Sequence, residues 1–215
     1  MSGTHRHPVF ARVYPHISHA AEQRGAAEHR RTLLAGLEGR VIEVGAGHGL
    51  NFPYYTSGVT QVVAVEPEPH LCALSQSASA SAPVPVEVRQ GIAEALPAED
   101  DEFDAAVVSL VLCSVADQQE ALDEIARVLR PGEELHFYEH VISNRPPTAR
   151  VQRALDATIY PTLAGGCHCA RDTSAAIRQA GFEIEREERI AFKPSPLVPA
   201  IPHILGTAQA PRSAA

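Results

Sequence analysis

The sequence predicts an α/β protein built on a mostly parallel β-sheet with helices on both faces. Two observations support this fold class. Short β-branched runs alternate with helix-like stretches from residue 40 onward, and the first run leads into a glycine-rich turn. Parallel strands need helical crossovers, and right-handed crossovers cover both faces of the sheet. At 215 residues, the chain is long enough for one domain with a substantial core.

Seven segments are predicted as strands because they are short, β-branched or aromatic, and bounded by turn residues. They are Arg40–Val44, Gln61–Val65, Val84–Arg89, Phe103–Ser109, Glu133–Val141, Phe182–Phe192 and Ile201–Ala208. The last segment contains Pro202, which lacks a backbone N–H, so Ile201–Gly206 is expected only as an edge strand.

The segments between these strands have the apolar spacing of helices. Residues 9–36 predict one or two helices, and further helices are predicted over Pro69–Ala80, Gln118–Leu129, Thr148–Tyr160 and Arg171–Ala180. In the second of these four, apolar residues recur at three-to-four spacing, and Pro131-Gly132 is expected to end the helix.

Charge and hydropathy exclude several classes of protein. The formal net charge of −8 argues against a nucleic acid partner, because phosphate binding needs clustered Lys and Arg. The first ten residues contain no apolar stretch typical of a signal peptide, and the longest apolar run, Ala105–Ala116, is too short to span a bilayer. The sequence therefore predicts a cytoplasmic protein without a membrane span, and it leaves the oligomeric state open.

Four cysteines are expected to be reduced thiols, because no secretory signal is evident. Cys167-His168-Cys169 has metal-ligand residue types, but no second pair stands at a spacing suited to a structural zinc site. No metal is therefore predicted, and a buried loop with a thiol near the active site is the favoured interpretation.

The glycine-rich turn lies in Val41–Leu50, whose sequence is VIEVGAGHGL. Glu43 precedes glycines at positions 45, 47 and 49, and only glycine lets a backbone approach a ligand without a Cβ atom in the way. A dinucleotide fingerprint would need a small residue at position 50, where Leu50 stands. The turn therefore predicts a nucleotide-like ligand other than a dinucleotide.

Three further features follow at the ends of the next strands. Glu66 stands 21 positions after Gly45, where a carboxylate can accept hydrogen bonds from both hydroxyls of a ribose. Gly91–Pro97 follows the third strand, and Ser109 and Leu110 end the fourth. Ligands of open α/β sheets bind at these carboxyl ends, so the features are expected to share one site.

These motifs, with Leu129–Gly132, resemble in order the motifs of class I S-adenosylmethionine (SAM) methyltransferases of the type-11 group. The resemblance implies a Rossmann-like fold with a mostly parallel seven-stranded sheet and an antiparallel edge strand. It also implies SAM as the cofactor, with S-adenosylhomocysteine as the product. The cofactor-binding residues it implies are Glu43, Gly45, Gly47, Gly49, Asn51, Glu66, Pro67, Ile92, Ala93, Glu94, Ser109 and Leu110.

One position departs from the family pattern. Ile92 stands where an acid usually contacts the adenine amino group, so adenine contact is expected from the backbone of Ile92 and Ala93, with Glu94 as an alternative. The resemblance divides the single domain, 1–215, into an N-terminal helical cap (1–36), a SAM-binding core (37–141) and a substrate-side region (142–215).

A narrower likeness points to the acceptor. Leu110–Val115, Glu139–Val141, Gly166-Cys167 and Pro202–Ile204 resemble segments of small methyltransferase-like enzymes that methylate alkyl thiols. Those enzymes carry an N-terminal membrane anchor, which is not expected here. The resemblance implies a small-molecule acceptor with a thiol as one class, and O- or C-methylation of a phenol or quinol as the alternative.

The methyl group of SAM is already activated, so the enzyme mainly has to align the acceptor behind it. A thiol needs little further help, whereas an oxygen or amine acceptor needs a positioned base. His140, at the end of the fifth strand, is the candidate base, and its alternative role is structural. Tyr14, Asp156 and Tyr160 are the candidates for lining the acceptor pocket.

Two other functions compete with methyl transfer. An NAD(P)-dependent oxidoreductase is disfavoured, because the chain has no G-x-G-x-x-G and its only lysine, Lys193, belongs to no Tyr-x-x-x-Lys pair. A catalytically silent SAM-binding module stays open, because no catalytic side chain is compelled by the sequence.

Overall fold

The protein is described by a computed structural model that covers residues 7–194 and 199–212. Its strands are β1 (Gly39–Val44), β2 (Val59–Glu66), β3 (Val86–Gln90), β4 (Phe103–Ser109), β5 (Leu129–His140), β6 (Glu183–Phe192) and β7 (Ile201–Gln209). Its α-helices are α1 (Pro8–Ala21), α2 (Ala27–Leu34), α3 (Pro69–Ser79), α4 (Gln118–Val128), α5 (Pro146–Asp156), α6 (Tyr160–Leu163) and α7 (Thr173–Gln179).

The strands form one seven-stranded sheet in the order β3-β2-β1-β4-β5-β7-β6. The first five strands in this order run parallel to one another, and β7 is antiparallel to both β5 and β6. The predicted mostly parallel sheet with an antiparallel edge is confirmed. The strand order reverses between β1 and β4, which is where open α/β sheets leave a crevice for a ligand.

The edge position expected for Ile201–Gly206 is wrong. β7 is the inner strand of the antiparallel edge, and β6 is the outer one. The inner position tolerates Pro202 because pairing with β5 begins one residue later, at His203 opposite His140. The carbonyl of Pro202 accepts a hydrogen bond from the N–H of Val141, and the missing N–H interrupts no ladder bond to β5.

Two helical regions differ from the predicted pattern. The helix expected over Thr148–Tyr160 is divided into α5 and α6, and α4 passes directly into β5 at Leu129.

The predicted N-terminal helices are α1 and α2, joined by a π-helical segment, Glu22–Ala26. Gly25 in this segment has φ +111°, which accounts for a kink that only glycine adopts readily.

Alternate residues of β1 supply the two sides of the core. Ile42 and Val44 pack on one face with residues of α4 and α7, whereas Val41 packs on the other with Leu33 and Leu34 of α2. Period-two alternation in a strand buried on both faces produces this arrangement. Both faces are covered by helices, so the sheet is rigid where its strands end. Among the helices in the described part of the chain, none has the length and apolar character needed to cross a bilayer.

Candidate functional site

A cavity of about 380 Å³ lies at the carboxyl ends of the parallel strands. Its walls come from the glycine turn after β1, the segments after β2, β3 and β4, the end of β5, and the helices α1 and α6. The volume falls within the range of small-molecule and cofactor sites. The cavity therefore lies over the ends of the central strands and is enclosed by the chain segments before β1 and after β5.

The three glycines of the turn all have positive φ, with values of +70° at Gly45, +59° at Gly47 and +86° at Gly49. A Cβ atom on Gly45 would lie 2.5 Å from Val111, and one on Gly49 would lie 2.7 Å from Phe52. Gly45 and Gly47 line the cavity, whereas Gly49 packs beside it. The turn thus needs glycine both for its conformation and for its close packing.

Glu66 ends β2 and lies against the turn. One carboxylate oxygen accepts the backbone N–H of Gly47 at 2.8 Å, and the other accepts that of Glu68 at 2.9 Å. Burial raises the pKa of Glu66 to about 7. An ionised carboxylate has about four acceptor sites, so two stay available to the cavity that it lines. This geometry suits a pair of neighbouring hydroxyls.

Glu43 serves a different purpose from Glu66. Its oxygens accept hydrogen bonds from the Asn51 amide at 2.9 Å and the Tyr55 hydroxyl at 2.7 Å. Burial raises the pKa of Glu43 to about 7. Glu43 and Asn51 line a small cleft beside the main cavity and not the cavity itself. Their hydrogen bonds fix the position of a third residue.

That third residue is Arg30 of α2, which none of the sequence motifs included. Its guanidinium donates to Glu22 at 2.8 Å, to Asn51 at 2.8 Å and to Ser109 at 3.2 Å. These bonds use Nε and Nη1, and Nη2 has no protein acceptor among the described residues. Arg30 is buried and lines the cavity, so this nitrogen is available to an anionic group of a ligand.

A signal for Arg30 did exist in the sequence. It stands four residues after Ala26 and three before Leu33, which places a charge on the buried face of a helix. A buried cation without a salt-bridge motif nearby indicates a partner from another element. Neither the carboxylate of Glu22 across the kink nor the amide of Asn51 is apparent from local spacing.

The segment after β3 lines the cavity with Ile92, Ala93 and Glu94, and Pro67 lines it after β2. One oxygen of Glu94 accepts the backbone N–H of Ala116 at 2.8 Å, which ties this segment to the loop before α4. Ile92 supplies an apolar side chain to the cavity. The predicted residues of this segment therefore share the cavity with Glu66, with an apolar surface at the position of the usual acid.

The chain after β4 is held in an unusual conformation. Leu110 has φ +61°, in the left-handed region that non-glycine residues seldom adopt. The next three N–H groups, of Val111, Leu112 and Cys113, all donate to the carboxylate of Glu139 at 2.8 to 3.1 Å. Glu139 is fully buried, and burial raises its pKa to about 7. Strain at Leu110 is thus stabilised by a residue of β5, next to a cavity wall.

His140 lies at the acceptor end of the cavity. Its Nδ1 is 3.4 Å from the Sγ of Cys167, and its ring stacks on that of His203 with centroids 5.3 Å apart. Burial lowers the pKa of His203 to about 4, and the neighbouring imidazole of His140 adds to this effect. The Nδ1 of His203 is 2.9 Å from the carbonyl of Ile201, so it carries the hydrogen and leaves Nε2 as an acceptor.

Tyr14 and Tyr160 line the same cavity, from α1 and α6 respectively, while Asp156 does not. The carboxylate of Asp156 accepts the backbone N–H groups of Cys169 at 2.8 Å and Ala170 at 2.9 Å. Asp156 therefore holds the loop that carries Cys167 in place. Of the predicted acceptor residues, the structure brings together Tyr14, Tyr160 and His140.

Cys113, Cys167 and His203 complete the acceptor wall. None of them was predicted as a catalytic or substrate-binding residue, although a thiol of the loop at Cys167-His168-Cys169 was expected near the active site. The segments that resemble alkyl-thiol methyltransferases include all three positions, so the sequence singled them out without indicating what they do. Within the described residues, no cluster of three or more His, Cys, Asp or Glu could hold a metal ion.

Comparison with known proteins agrees with this geometry. Residues 42–137 match the family model described as a methyltransferase domain. The chain is 35% identical over 182 residues to mouse thiol S-methyltransferase TMT1B, covering 81% of this chain and 73% of that protein.

Two solved structures share the fold at low sequence identity. The [4+2]-cyclase SpnF has a TM-score of 0.75 and 18% identity, covering 96% of this chain and 95% of its own. Geranyl diphosphate methyltransferase in complex with SAM has a TM-score of 0.67 and 13% identity, covering 87% and 85%.

Proposed function

We propose that this chain, which belongs to the class I SAM-dependent methyltransferases and uses SAM as its cofactor, methylates the sulfur of a small apolar thiol. The observation that carries the choice of acceptor is the composition of the acceptor wall. It presents thiols and imidazoles, with His203 held neutral, and apolar or aromatic side chains such as Phe10 and Tyr160. The 35% identity to a protein named as a thiol S-methyltransferase supports the same choice.

Several residues on the cofactor side of the cavity would contact SAM. Glu66 would accept the ribose hydroxyls, and the backbone of Ile92 and Ala93 would contact the adenine. The free Nη2 of Arg30 would bind the carboxylate of the methionine portion, beside the backbone of Gly47. The roles of Glu66 and Arg30 are inferred from the hydrogen-bonding sites that the described protein groups leave open, and those of Ile92 and Ala93 from their place in the cavity wall.

The predicted residues outside the cavity receive supporting roles in this proposal. Glu43 and Asn51 hold Arg30, and Gly49 keeps the turn closed against Phe52. Ser109 also accepts from Arg30, while the strained backbone of Leu110 would present its carbonyl to the ligand. These residues would act on SAM mainly through the groups they position.

Bound SAM supplies a methyl group activated by a sulfonium centre, so the protein has to supply orientation and remove one proton. The thiolate of Cys167 would accept a hydrogen bond from Nδ1 of His140, which fixes the tautomer and leaves Nε2 as an acceptor. His140 would then take the thiol proton, with Nε2 of His203 as a second neutral acceptor. Weak bases suffice because a thiol ionises near neutral pH.

The experiment compares acceptors with one carbon skeleton. Purified protein is incubated with SAM and either 2-phenylethanethiol, 2-phenylethanol or 4-ethylphenol, and the methylated product and S-adenosylhomocysteine are quantified by mass spectrometry. We expect the thioether as the dominant product. Methylation of the phenol without the thiol would overturn the thiol assignment, and SAM binding without turnover of any acceptor class would indicate a silent binding module.

A further inference from the structure

Two cysteines from distant parts of the chain meet in the acceptor wall. Cys113 lies in the loop after β4, and Cys167 lies in the loop after α6. The carbonyl of Cys113 accepts the N–H of His168 at 2.8 Å, which sets the two backbones side by side. Both cysteines are free, and both line the cavity. A disulfide requires close backbones of this kind, because the Cα atoms must lie within about 7 Å of each other.

The two sulfurs have opposite ionisation tendencies. The neighbouring Cys167 raises the pKa of the Cys113 thiol well above its ordinary value, and burial adds to this. The neighbouring Cys113 lowers the pKa of Cys167, and so does the imidazole of His140, whose Nδ1 lies 3.4 Å from the Cys167 sulfur. Cys167 is therefore the thiolate and Cys113 the thiol. Thiol–disulfide exchange uses such a pair, in which one sulfur attacks and the other resolves.

We propose that Cys167 and Cys113 form a thiol–disulfide exchange site that reduces small apolar disulfides inside the cavity. The Cys167 thiolate attacks one sulfur of a disulfide, breaking its S–S bond and releasing one thiolate. The sulfur of Cys113 then attacks Cys167, its proton passing to a departing thiolate, and the second thiol is released. The small disulfide gains two electrons, and the cysteine pair becomes a disulfide that an external dithiol restores.

The second thiol is released beside His140, where an acceptor for methylation would lie. The site would thus produce a substrate in place from the oxidised form of a thiol. This coupling rests on the proposed thiol methylation, whereas the exchange reaction itself needs no SAM.

The other two cysteines are poor candidates and serve as internal controls. Burial and the hydrogen bond with Asp156 raise the pKa of Cys169 to about 12. Cys72 lies on α3 outside the cavity, and burial raises its pKa also.

The exchange is tested with the reduced full chain, without SAM or reductant, by adding 2,2′-dithiodipyridine and following the release of pyridine-2-thione. We expect a fast release of two equivalents and a Cys113–Cys167 disulfide in the digested protein. Cys113→Ser and Cys113→Ala should release one fast equivalent and keep a stable adduct on Cys167. Cys167→Ser should slow the first equivalent at least about tenfold, and Cys72→Ser should behave as the wild type.

A fast adduct that maps to Cys72, or a fast release without the Cys113–Cys167 disulfide, would overturn the exchange site. A second arm supplies SAM and bis(2-phenylethyl) disulfide in a single turnover without reductant. One methyl thioether per chain supports the coupling. Exchange without any thioether, from this disulfide or from the free thiol, would overturn the thiol methylation and leave the exchange site standing.

Discussion

The two halves of the cavity are built by different means. On the cofactor side, buried carboxylates at strand ends each accept at least two hydrogen bonds, as Glu43, Glu66 and Glu139 do. On the acceptor side, helices α1 and α6 contribute apolar and aromatic side chains. The cofactor half is thus fixed by hydrogen bonds to carboxylates at strand ends. In the acceptor half, Asp156 holds the loop of Cys167 in the same way, while helices α1 and α6 add apolar contact.

Exposed apolar surface is concentrated on the acceptor half. Among the described residues, every exposed large hydrophobic side chain lies on α1, on α5 or in the segment through α6. These residues are Val9, Val13, Ile17, Val151, Leu155, Ile159 and Leu163. The two regions touch, since a Cβ on Gly165 would lie 2.5 Å from Phe10. An exposed apolar patch around a cavity mouth is typical of a site that receives apolar ligands.

Gly47→Val is the substitution from which we expect the largest effect on the cofactor half. We expect SAM binding to be lost, because a β-branched residue at φ +59° is strained and would add a side chain to the cavity that Gly47 lines. The N–H of Gly47 also orients Glu66. Isothermal titration calorimetry should show an affinity loss of more than about 100-fold, equal to roughly 3 kcal/mol.

The matched control is Gly36→Val. Gly36 has φ +80°, and a Cβ atom added to it would meet nothing within 4 Å, so this variant carries similar strain away from the cavity. Both variants should lose comparable thermal stability, and only Gly47→Val should lose SAM. Near-normal SAM affinity in a folded Gly47→Val protein would refute the assignment of the turn to the cofactor.

Glu66→Gln is expected to weaken SAM binding by about 10- to 100-fold, as for hydrogen bonds to a charged group. In the wild type, the pKa of Glu66 is about 7, so binding to the carboxylate should release a proton below that pH. SAM affinity should then fall as the pH drops from 8 to 6. Calorimetry in two buffers of different ionisation enthalpy measures the proton, and an unchanged proton count in Glu66→Gln would contradict this role.

The same pKa has a consequence for the stability of the ligand-free protein. Burial raises the pKa of Glu66 from its ordinary value of 4.5 to about 7 in the folded protein. The contribution of this shift to stability is therefore fully present below pH 4.5. That contribution is lost as the pH rises through about 7. Glu66→Gln should therefore flatten the decline in melting temperature between pH 5 and 8, which differential scanning calorimetry can measure.

His140→Ala tests the acceptor half at its catalytic end. We expect kcat for a thiol to fall about tenfold, below the usual range for general bases, because a thiol ionises readily. SAM affinity should stay within about twofold, since His140 lies on the other side of the cavity from Glu66. Equal losses in SAM affinity and kcat would make His140 structural.

More of the cofactor half than of the acceptor half could be predicted from the sequence. The turn at Gly45–Gly49 and the acid Glu66 follow strands, and strand ends converge by the rules of parallel sheets. The acceptor wall combines Tyr14, His140 and Cys167, which no local pattern joins. Their meeting depends on how α1, the end of β5 and the loop after α6 pack around one cavity, which is set by contacts across the whole chain.

The smallest expected effect concerns the cavity mouth. Ile17 is 54% exposed and lines the cavity, whereas Val151 is 60% exposed and does not. Ile17→Ser should raise KM for 2-phenylethanethiol about fivefold, since partial burial of a few methylene groups contributes roughly 1 kcal/mol. Val151→Ser removes similar apolar surface and should leave KM unchanged, as should Ile17→Ser with 2-mercaptoethanol. Equal KM changes in both variants would mean that the exposed apolar surface acts as a whole and not through the cavity mouth.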